Sequence, residues 1–169
     1  MPNRSLRTSA LALAGILIAI GGCAESPSAS EAREFVTRGS HARFDVSGSA
    51  SAVIGASGGT LVTAAGDRII FPTGALAEAT RVSITSSGTY VGVELQPHGL
   101  RFPTGRQPVL VLNTGGSNVA AFRRLDVSYI DETGTVVEVL PAAAGAGSVT
   151  TTLSHFSTYR AGGFLTSGH

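Results

Sequence analysis

The residues best suited to nucleophilic chemistry are a serine in a glycine-rich segment and a histidine far downstream. The segment Gly55-Ala56-Ser57-Gly58-Gly59 matches the G-x-S-x-G pattern, in which a sharp turn from a strand into a helix exposes the serine as a nucleophile. Asp126 or Asp131, followed by His155, completes the order serine, acid, histidine. However, Thr60-Leu61-Val62-Thr63 favours a strand where the pattern needs a helix. We therefore expect no hydrolase site at Ser57.

Metal and nucleotide sites are equally unsupported by the sequence. The single cysteine leaves neither a disulfide framework nor a cysteine-based zinc site. The Asp131-Glu132 segment lacks the alternating acids of a calcium loop, and the glycine-rich segment lacks the Gly-Lys-Ser/Thr ending of a phosphate loop. The histidines occur singly, without ligand-like spacing, at His41, His98, His155 and His169.

The charged residues give no sign of a nucleic-acid partner. All twelve basic residues are arginines, and they are balanced by eleven acids with no long run of one sign. Arg123-Arg124 is a two-residue basic patch, which is too small on its own to indicate anionic lipid or polysaccharide. We therefore expect no cofactor, no metal, no nucleic acid and no small-molecule substrate.

The lone cysteine follows an apolar segment at the N-terminus. Two arginines precede the run Ala10–Ile20, whose eleven residues are too few for a bilayer-spanning helix of about 20 residues. This layout predicts a secretory signal peptide over residues 1–22. The segment Ile20-Gly21-Gly22-Cys23 resembles the lipobox of bacterial lipoproteins, which implies acylation of Cys23 and cleavage just before it. The alternative is an ordinary cleaved signal with a cysteine near the cut.

The lipobox resemblance implies a location in the bacterial cell envelope. The protein is then lipid-anchored on the exported side of a membrane, at the outer membrane or on a periplasmic face. Removal of the signal leaves ten arginines against eleven acids, so the mature net charge is close to −1. Residues 23–51 are rich in Ser, Ala and Gly without a sustained apolar period, which predicts a lipid-anchored flexible tether.

Beyond the tether the pattern is typical of an all-β protein. Short Val, Ile, Leu and Thr runs separated by turn residues predict a two-sheet antiparallel β-sandwich over residues 52–162, with 163–169 as a C-terminal tail. In the predicted hairpin Leu125–Leu140, Gly134 supplies the positive φ of the turn, and Val127 and Tyr129 share one face. The predicted strands are Thr60–Thr63, Arg68–Phe71, Arg81–Thr85, Tyr90–Leu95, Val109–Asn113, Leu125–Ile130, Thr135–Leu140, Val149–Leu153 and Phe156–Tyr159.

A tetrapeptide repeat leads to a family resemblance. Phe71-Pro72-Thr73-Gly74 recurs as Phe102-Pro103-Thr104-Gly105, and both copies read as strand exits in which Pro ends the ladder and Gly turns the chain. With the Gly58-Gly59 start, Leu95-Gln96-Pro97-His98-Gly99 and Pro108-Val109, the succession resembles the ZU-five domain of ankyrins and netrin receptors. Phe71 and Thr73 replace the usual Ile and second Pro. The resemblance implies a β-sandwich that serves adhesion, scaffolding or protein contact without a cofactor.

The same resemblance offers one candidate reaction. His155-Phe156-Ser157 is similar to the self-cleavage motif of some ZU-five proteins, which implies that Ser157 attacks the Phe156 carbonyl while His155 acts as general base. The alternative is a closing strand with Phe156 in the core. We expect the structural role, and hence an exported, membrane-anchored lipoprotein that presents its sandwich to an envelope protein or surface partner. Self-cleavage between Phe156 and Ser157 is the alternative function.

Overall fold

Short strands with alternating buried and exposed side chains build two antiparallel sheets, so the predicted all-β sandwich is confirmed. A computed structural model of the chain describes residues 33–39 and 48–166, which belong to one compact unit, Glu31–His169. Within these ranges the only helical element is the 3-10 turn Val119–Ala121. No helix in the described part of the chain is long and apolar enough to cross a membrane.

The larger sheet contains seven strands. In spatial order its path is β2 (Ser49–Ile54), β5 (Thr80–Ser86), β6 (Gly92–Gln96), β12 (Thr158–Leu165), β8 (Phe122–Ile130) and β9 (Val136–Leu140), with β1 (Glu34–Phe35) paired to β12. The smaller sheet has the order β10 (Ala143–Gly145), β11 (Ser148–Thr152), β7 (Val109–Asn113), β4 (Arg68–Phe71) and β3 (Gly59–Val62). The strand pairs within both sheets are antiparallel.

The inward faces of both sheets form one hydrophobic core. Val82 and Ile84 from β5 and Leu110 and Leu112 from β7 are almost completely buried in it. Each such side chain contributes roughly 1.5–3 kcal/mol of burial free energy. The core needs no disulfide, because a domain of this size buries enough apolar surface by itself.

The predicted hairpin is confirmed, with a bulge near its turn. β8 pairs with β9 so that Val127 lies opposite Leu140, and the register shifts between Tyr129 and Ile130. Gly134 has a φ of 86°, the left-handed conformation that the turn requires. Two other predicted strands, Arg68–Phe71 and Val109–Asn113, have the same bounds in the structure.

The predicted tether and sandwich boundary are wrong for part of their length. Glu34–Phe35 pairs with β12, Val36 is fully buried in the core, and β2 begins at Ser49. The sequence pattern does not reveal these residues, because a two-residue strand followed by one valine is too short to show a hydrophobic period. The predicted signal peptide, Cys23, His41, His169 and residues 40–47 lie outside the described residues.

The predicted C-terminal tail is also wrong where the structure describes it. β12 starts at Thr158, two residues after the predicted start, and continues to Leu165 instead of ending before residue 163. Gly162 and Gly163 have the pattern of a tail, yet both pair with β8, and Gly163 also pairs with Glu34. A Cβ on Gly163 would lie 1.9 Å from the Arg124 carbonyl oxygen, so the glycine permits close strand packing.

Candidate functional site

A cleft of about 610 Å³ opens beside the predicted His155-Phe156-Ser157 segment. Three stretches line it: residues 98–101, the turn end of the β8–β9 hairpin at 129–133, and residues 155–158. The ionisable groups on its walls are His98, Arg101, Asp131, Glu132 and His155. The cleft therefore combines groups of both charge signs with the aromatic ring of Tyr129.

Backbone hydrogen bonds hold the His155-Phe156-Ser157 segment against β6 and the loop that follows β6. The Phe156 amide donates to the Leu100 carbonyl at 2.8 Å, and the Gly99 amide donates to the Phe156 carbonyl at 3.0 Å. The Leu95 amide likewise donates to the Ser157 carbonyl at 3.0 Å. The loop begins with a cis Gln96–Pro97 peptide bond, and Gly99 has a φ of 77°. This pairing places the Phe156–Ser157 peptide at the wall of the cleft.

The phenylalanines of the two repeated tetrapeptides pack against the His155-Phe156-Ser157 segment on its core side. Phe156 packs edge-to-face on Phe102, with ring centroids 5.2 Å apart, and on Phe71 at 5.9 Å. Phe71 and Phe102 also contact each other at 6.1 Å. Edge-to-face pairs of this kind add about 0.5–1.5 kcal/mol beyond area burial. Phe156 is accordingly a core residue, as the structural alternative for this motif predicted.

The repeated tetrapeptides form the same turn. The Ala75 amide donates to the Pro72 carbonyl at 3.1 Å, and the Arg106 amide donates to the Pro103 carbonyl at 2.9 Å. The turn glycines, Gly74 and Gly105, have φ values of 77° and 78°. The shared turn type inferred from the sequence is therefore confirmed.

His155 lies in an aromatic and hydrogen-bonded setting. Its Nδ1 is 3.3 Å from the Phe156 carbonyl oxygen and 3.4 Å from the Tyr159 hydroxyl, and its Nε2 is 3.8 Å from Glu138 Oε2. The ring packs edge-on to Tyr129 at 5.1 Å. The Tyr159 hydroxyl donates to the His155 carbonyl at 2.7 Å. Burial, with a further contribution from the Glu138 charge, raises the pKa of Tyr159, so this hydroxyl stays protonated and donates.

Ser157 is 7% exposed and does not pair with the imidazole. Among the described residues, no hydrogen bond joins Ser157 Oγ to either nitrogen of His155. The imidazole instead lies beside the Phe156 carbonyl oxygen, on the side where the Gly99 amide also donates. In chemical terms, this geometry suits stabilisation of a carbonyl oxygen better than removal of a proton from Ser157.

The candidate hydrolase residues are not brought together. Ser57 lies in an exposed turn in which the Gly58 amide donates to the Gly55 carbonyl, and the strand β3 follows where an elbow needs a helix. Asp126 is paired with Arg33. Asp131 Oδ1 accepts hydrogen bonds from its own turn, at Thr133 and Thr135, and these bonds lower its pKa.

Sequence reasoning did not predict which side chains the strand register brings next to His155. Glu138 lies opposite Tyr129 across the hairpin, and both contact His155. The turn residues predicted the hairpin, but the bulge between Tyr129 and Ile130 shifts the register and hid this pairing. His98 is 3.6 Å from Glu94 Oε1. In the described ranges, no group of three or more His, Cys, Asp or Glu side chains is suited to hold a metal ion.

Comparison with known proteins does not narrow the classification beyond the fold. No protein-family model matches the chain, and no curated protein matches it. The fold and the site together define a two-sheet antiparallel β-sandwich with an open, mixed-charge cleft at one end.

Proposed function

We propose that the protein is an exported lipoprotein of the bacterial cell envelope, anchored by acylated Cys23, whose ZU-five-like sandwich contacts a protein partner through the cleft. The observation that carries the contact role is the cleft itself. It is open and about 610 Å³ in volume, and its histidine and serine do not pair as a base and a nucleophile do. Ligand and partner sites typically combine an apolar floor with a few polar groups, as Tyr129, Arg101 and Glu132 do here.

The lipobox-like segment Ile20-Gly21-Gly22-Cys23 supports the anchor. Because the chain has one cysteine, acyl labelling gives a direct test. We expect the wild type to incorporate a labelled fatty acid and to remain with membranes, and the Cys23→Ser variant to lose the label. Equal labelling of the two proteins, or no labelling of the wild type, would remove the anchor from the proposal.

Photocrosslinking tests the contact role. A photoreactive amino acid at Arg101, which is exposed in the cleft, is compared with the same group at Val62, which is 54% exposed on the edge strand β3. We expect crosslinked adducts at position 101, and an excess of the same protein without the photoreactive group should abolish them. At position 62 we expect several-fold fewer adducts. Equal adducts at the two positions would contradict a partner site in the cleft.

Self-cleavage is the second candidate, and one observation favours it. The Phe156 carbonyl oxygen, where negative charge would develop, accepts from the Gly99 amide and lies 3.3 Å from His155 Nδ1. In this reaction Ser157 Oγ adds to the Phe156 carbonyl carbon, the peptide C–N bond breaks, and the nitrogen takes up the hydroxyl proton. Water then hydrolyses the ester and leaves a Phe156 carboxylate and the Ser157 hydroxyl.

Intact-mass measurement after denaturation decides between the two candidates. Self-cleavage predicts a thirteen-residue fragment, residues 157–169, that disappears in the Ser157→Ala variant. The contact role alone predicts one uncleaved chain. A fragment that persists in Ser157→Ala would indicate an external protease and would rule out self-cleavage.

A further inference from the structure

We infer that the cleft binds a segment of the partner protein that carries both a carboxylate and a guanidinium group. This inference rests on the proposed contact role of the cleft and names the chemistry of the segment that fills it. The carboxylate of the segment pairs with Arg101 and its guanidinium group pairs with Glu132. Both residues line the cleft and are exposed.

The two charged residues come from separate parts of the fold. Arg101 lies in the loop that follows β6 and is bridged to His155. Glu132 lies in the hairpin turn after β8, whose last residue, Ile130, is opposite Thr158 of β12. In the part of the chain that the structure describes, neither charge forms an ion pair with the other or with a third group. Both charges therefore stay available for groups that a partner brings.

The other ionisable groups of the cleft have partners within the protein itself. His98 lies 3.6 Å from Glu94 Oε1, and His155 Nε2 lies 3.8 Å from Glu138 Oε2, so each imidazole has a carboxylate beside it. The Asp131 carboxylate accepts hydrogen bonds from the amides and a hydroxyl of its own turn. The remaining pair of opposite charges is what the fold leaves for a partner.

The aromatic lining of the cleft favours arginine as the basic side chain of the partner. The ring of Tyr129, three positions before Glu132 in the hairpin, also lines the cleft. A guanidinium group stacks on an aromatic ring and binds a carboxylate through two parallel hydrogen bonds, whereas a lysine ammonium is one compact charge. An arginine of the partner can therefore contact Tyr129 and Glu132 together.

A partner segment of one charge sign fits this cleft less well. A purely acidic segment brings carboxylates towards Asp131 and Glu132, and a purely basic segment brings cations towards Arg101. Like charges placed opposite each other suppress binding, whereas complementary charges at two separate points fix the register of the bound segment. The arrangement therefore selects a segment with both signs of charge.

Peptide selection on the full-length protein tests this chemistry. The probe is a library of random dodecapeptides displayed on phage, and the enriched sequences are then synthesised with blocked termini. We expect enriched sequences to contain Asp or Glu together with Arg. Their affinity should fall roughly 3–10-fold in Arg101→Glu and by a similar factor in Glu132→Arg. Enrichment of peptides with one charge sign, or of no peptides, would overturn the inference.

Charge exchange supplies the matched controls. Arg81→Glu with Glu78→Arg, at exposed positions on β5 and in the loop before it, should leave the affinity unchanged. The double variant Arg101→Glu, Glu132→Arg should bind a peptide whose acid and arginine are exchanged more tightly than it binds the selected peptide. Equal affinity of the selected peptide for the wild type and for both single cleft variants would place its site elsewhere and overturn the inference.

A photoreactive group at Thr133 separates this inference from the proposed contact role. Thr133 is exposed in the cleft, and its replacement leaves Arg101 and Glu132 in place. Adducts at position 133 that are unchanged in Arg101→Glu and Glu132→Arg would overturn the charge chemistry alone. Absence of adducts at both positions, 101 and 133, would remove the contact role and with it this inference.

Discussion

Two polar regions of this sandwich, one buried and one at the cleft, contrast in how completely their hydrogen-bonding groups are used. Near the N-terminal segment, Asp67 is fully buried. Its carboxylate accepts hydrogen bonds from Arg38 Nη2 at 2.5 Å, Ser86 Oγ at 2.6 Å and the backbone amide of Asn113 at 2.8 Å. At the cleft, the imidazole nitrogens of His155 have only long contacts, of 3.3–3.8 Å, to their neighbours. A saturated network fixes structure, whereas loosely held groups beside solvent stay available for a partner.

The Asp67 network also explains why the sandwich begins earlier in the chain than predicted, within residues assigned to the tether. Arg38 donates to three backbone carbonyls, at Ser87, Tyr90 and Asn113, in addition to the Asp67 carboxylate. This one side chain ties residues 33–39 to both sheets. Stability should therefore be sensitive to Arg38 and much less sensitive to the groups of the cleft.

The largest expected effect is at Arg38. The Arg38→Ala change leaves the buried Asp67 charge unpaired, and loss of one member of a buried ion pair lowers the free energy of unfolding by about 3–5 kcal/mol. Urea unfolding measures it, with Arg68→Ala as the exposed control, for which we expect a change within about 0.5 kcal/mol. Similar unfolding midpoints for the two variants would show that the network does not fix the N-terminal segment.

A smaller effect is expected at Tyr159. Tyr159→Phe removes the hydroxyl that donates to the His155 carbonyl at 2.7 Å but keeps the buried ring. The unpaired carbonyl should lower the free energy of unfolding by about 1–2 kcal/mol. Tyr90→Phe is a matched control, because Tyr90 forms its hydrogen bonds to Arg38 and Ser87 through its backbone. Equal losses in both variants would contradict a specific role for the Tyr159 hydroxyl.

Ser157→Ala should change the free energy of unfolding less than Tyr159→Phe does. Ser157 Oγ makes no hydrogen bond with His155, so removal of the hydroxyl should alter the free energy of unfolding by less than about 1 kcal/mol. A loss well above that value in thermal or urea unfolding would mean that the hydroxyl has a structural partner. The contrast between the saturated and the loosely held region would then fail.

The smallest effect concerns pH at the hairpin turn. Hydrogen bonds from Thr133 and Thr135 lower the pKa of Asp131 below its ordinary value of 3.8. A lowered folded-state pKa stabilises the fold above the unfolded pKa, and the stabilisation is lost as the pH falls through the folded pKa. Asp131→Asn should therefore melt below the wild type at neutral pH, and the difference should shrink below about pH 3.8. A difference independent of pH would contradict this origin.

The sequence was informative where a strand is marked by a short apolar run between turn residues. Arg68–Phe71, Val109–Asn113 and the hairpin around Gly134 were predicted because such local runs and turn residues specify them. The ends of the sandwich were not, since their contacts join residues far apart in the chain. Arg38 and Asp67 are 29 positions apart, and Gly162 is required because a Cβ there would lie 2.6 Å from the Glu34 carbonyl oxygen.

The candidate site shows the same limit. The motif His155-Phe156-Ser157 was visible in the sequence, but its roles depend on distances that only the fold supplies. The imidazole lies beside the Phe156 carbonyl oxygen instead of at Ser157 Oγ, and Tyr129 and Glu138 join it through the bulged hairpin register. A bulge of one residue changes which side chains meet across two strands, and no local pattern in β9 announces it.

The intact mass of the mature protein, extracted from membranes and denatured, tests the central proposal most directly. We predict one species that runs from an acylated Cys23 to His169, since the proposal joins a lipid anchor to an uncleaved contact domain. An unmodified Cys23 would contradict the anchor. A released fragment of residues 157–169 that disappears in Ser157→Ala would contradict the contact-only role and favour self-cleavage.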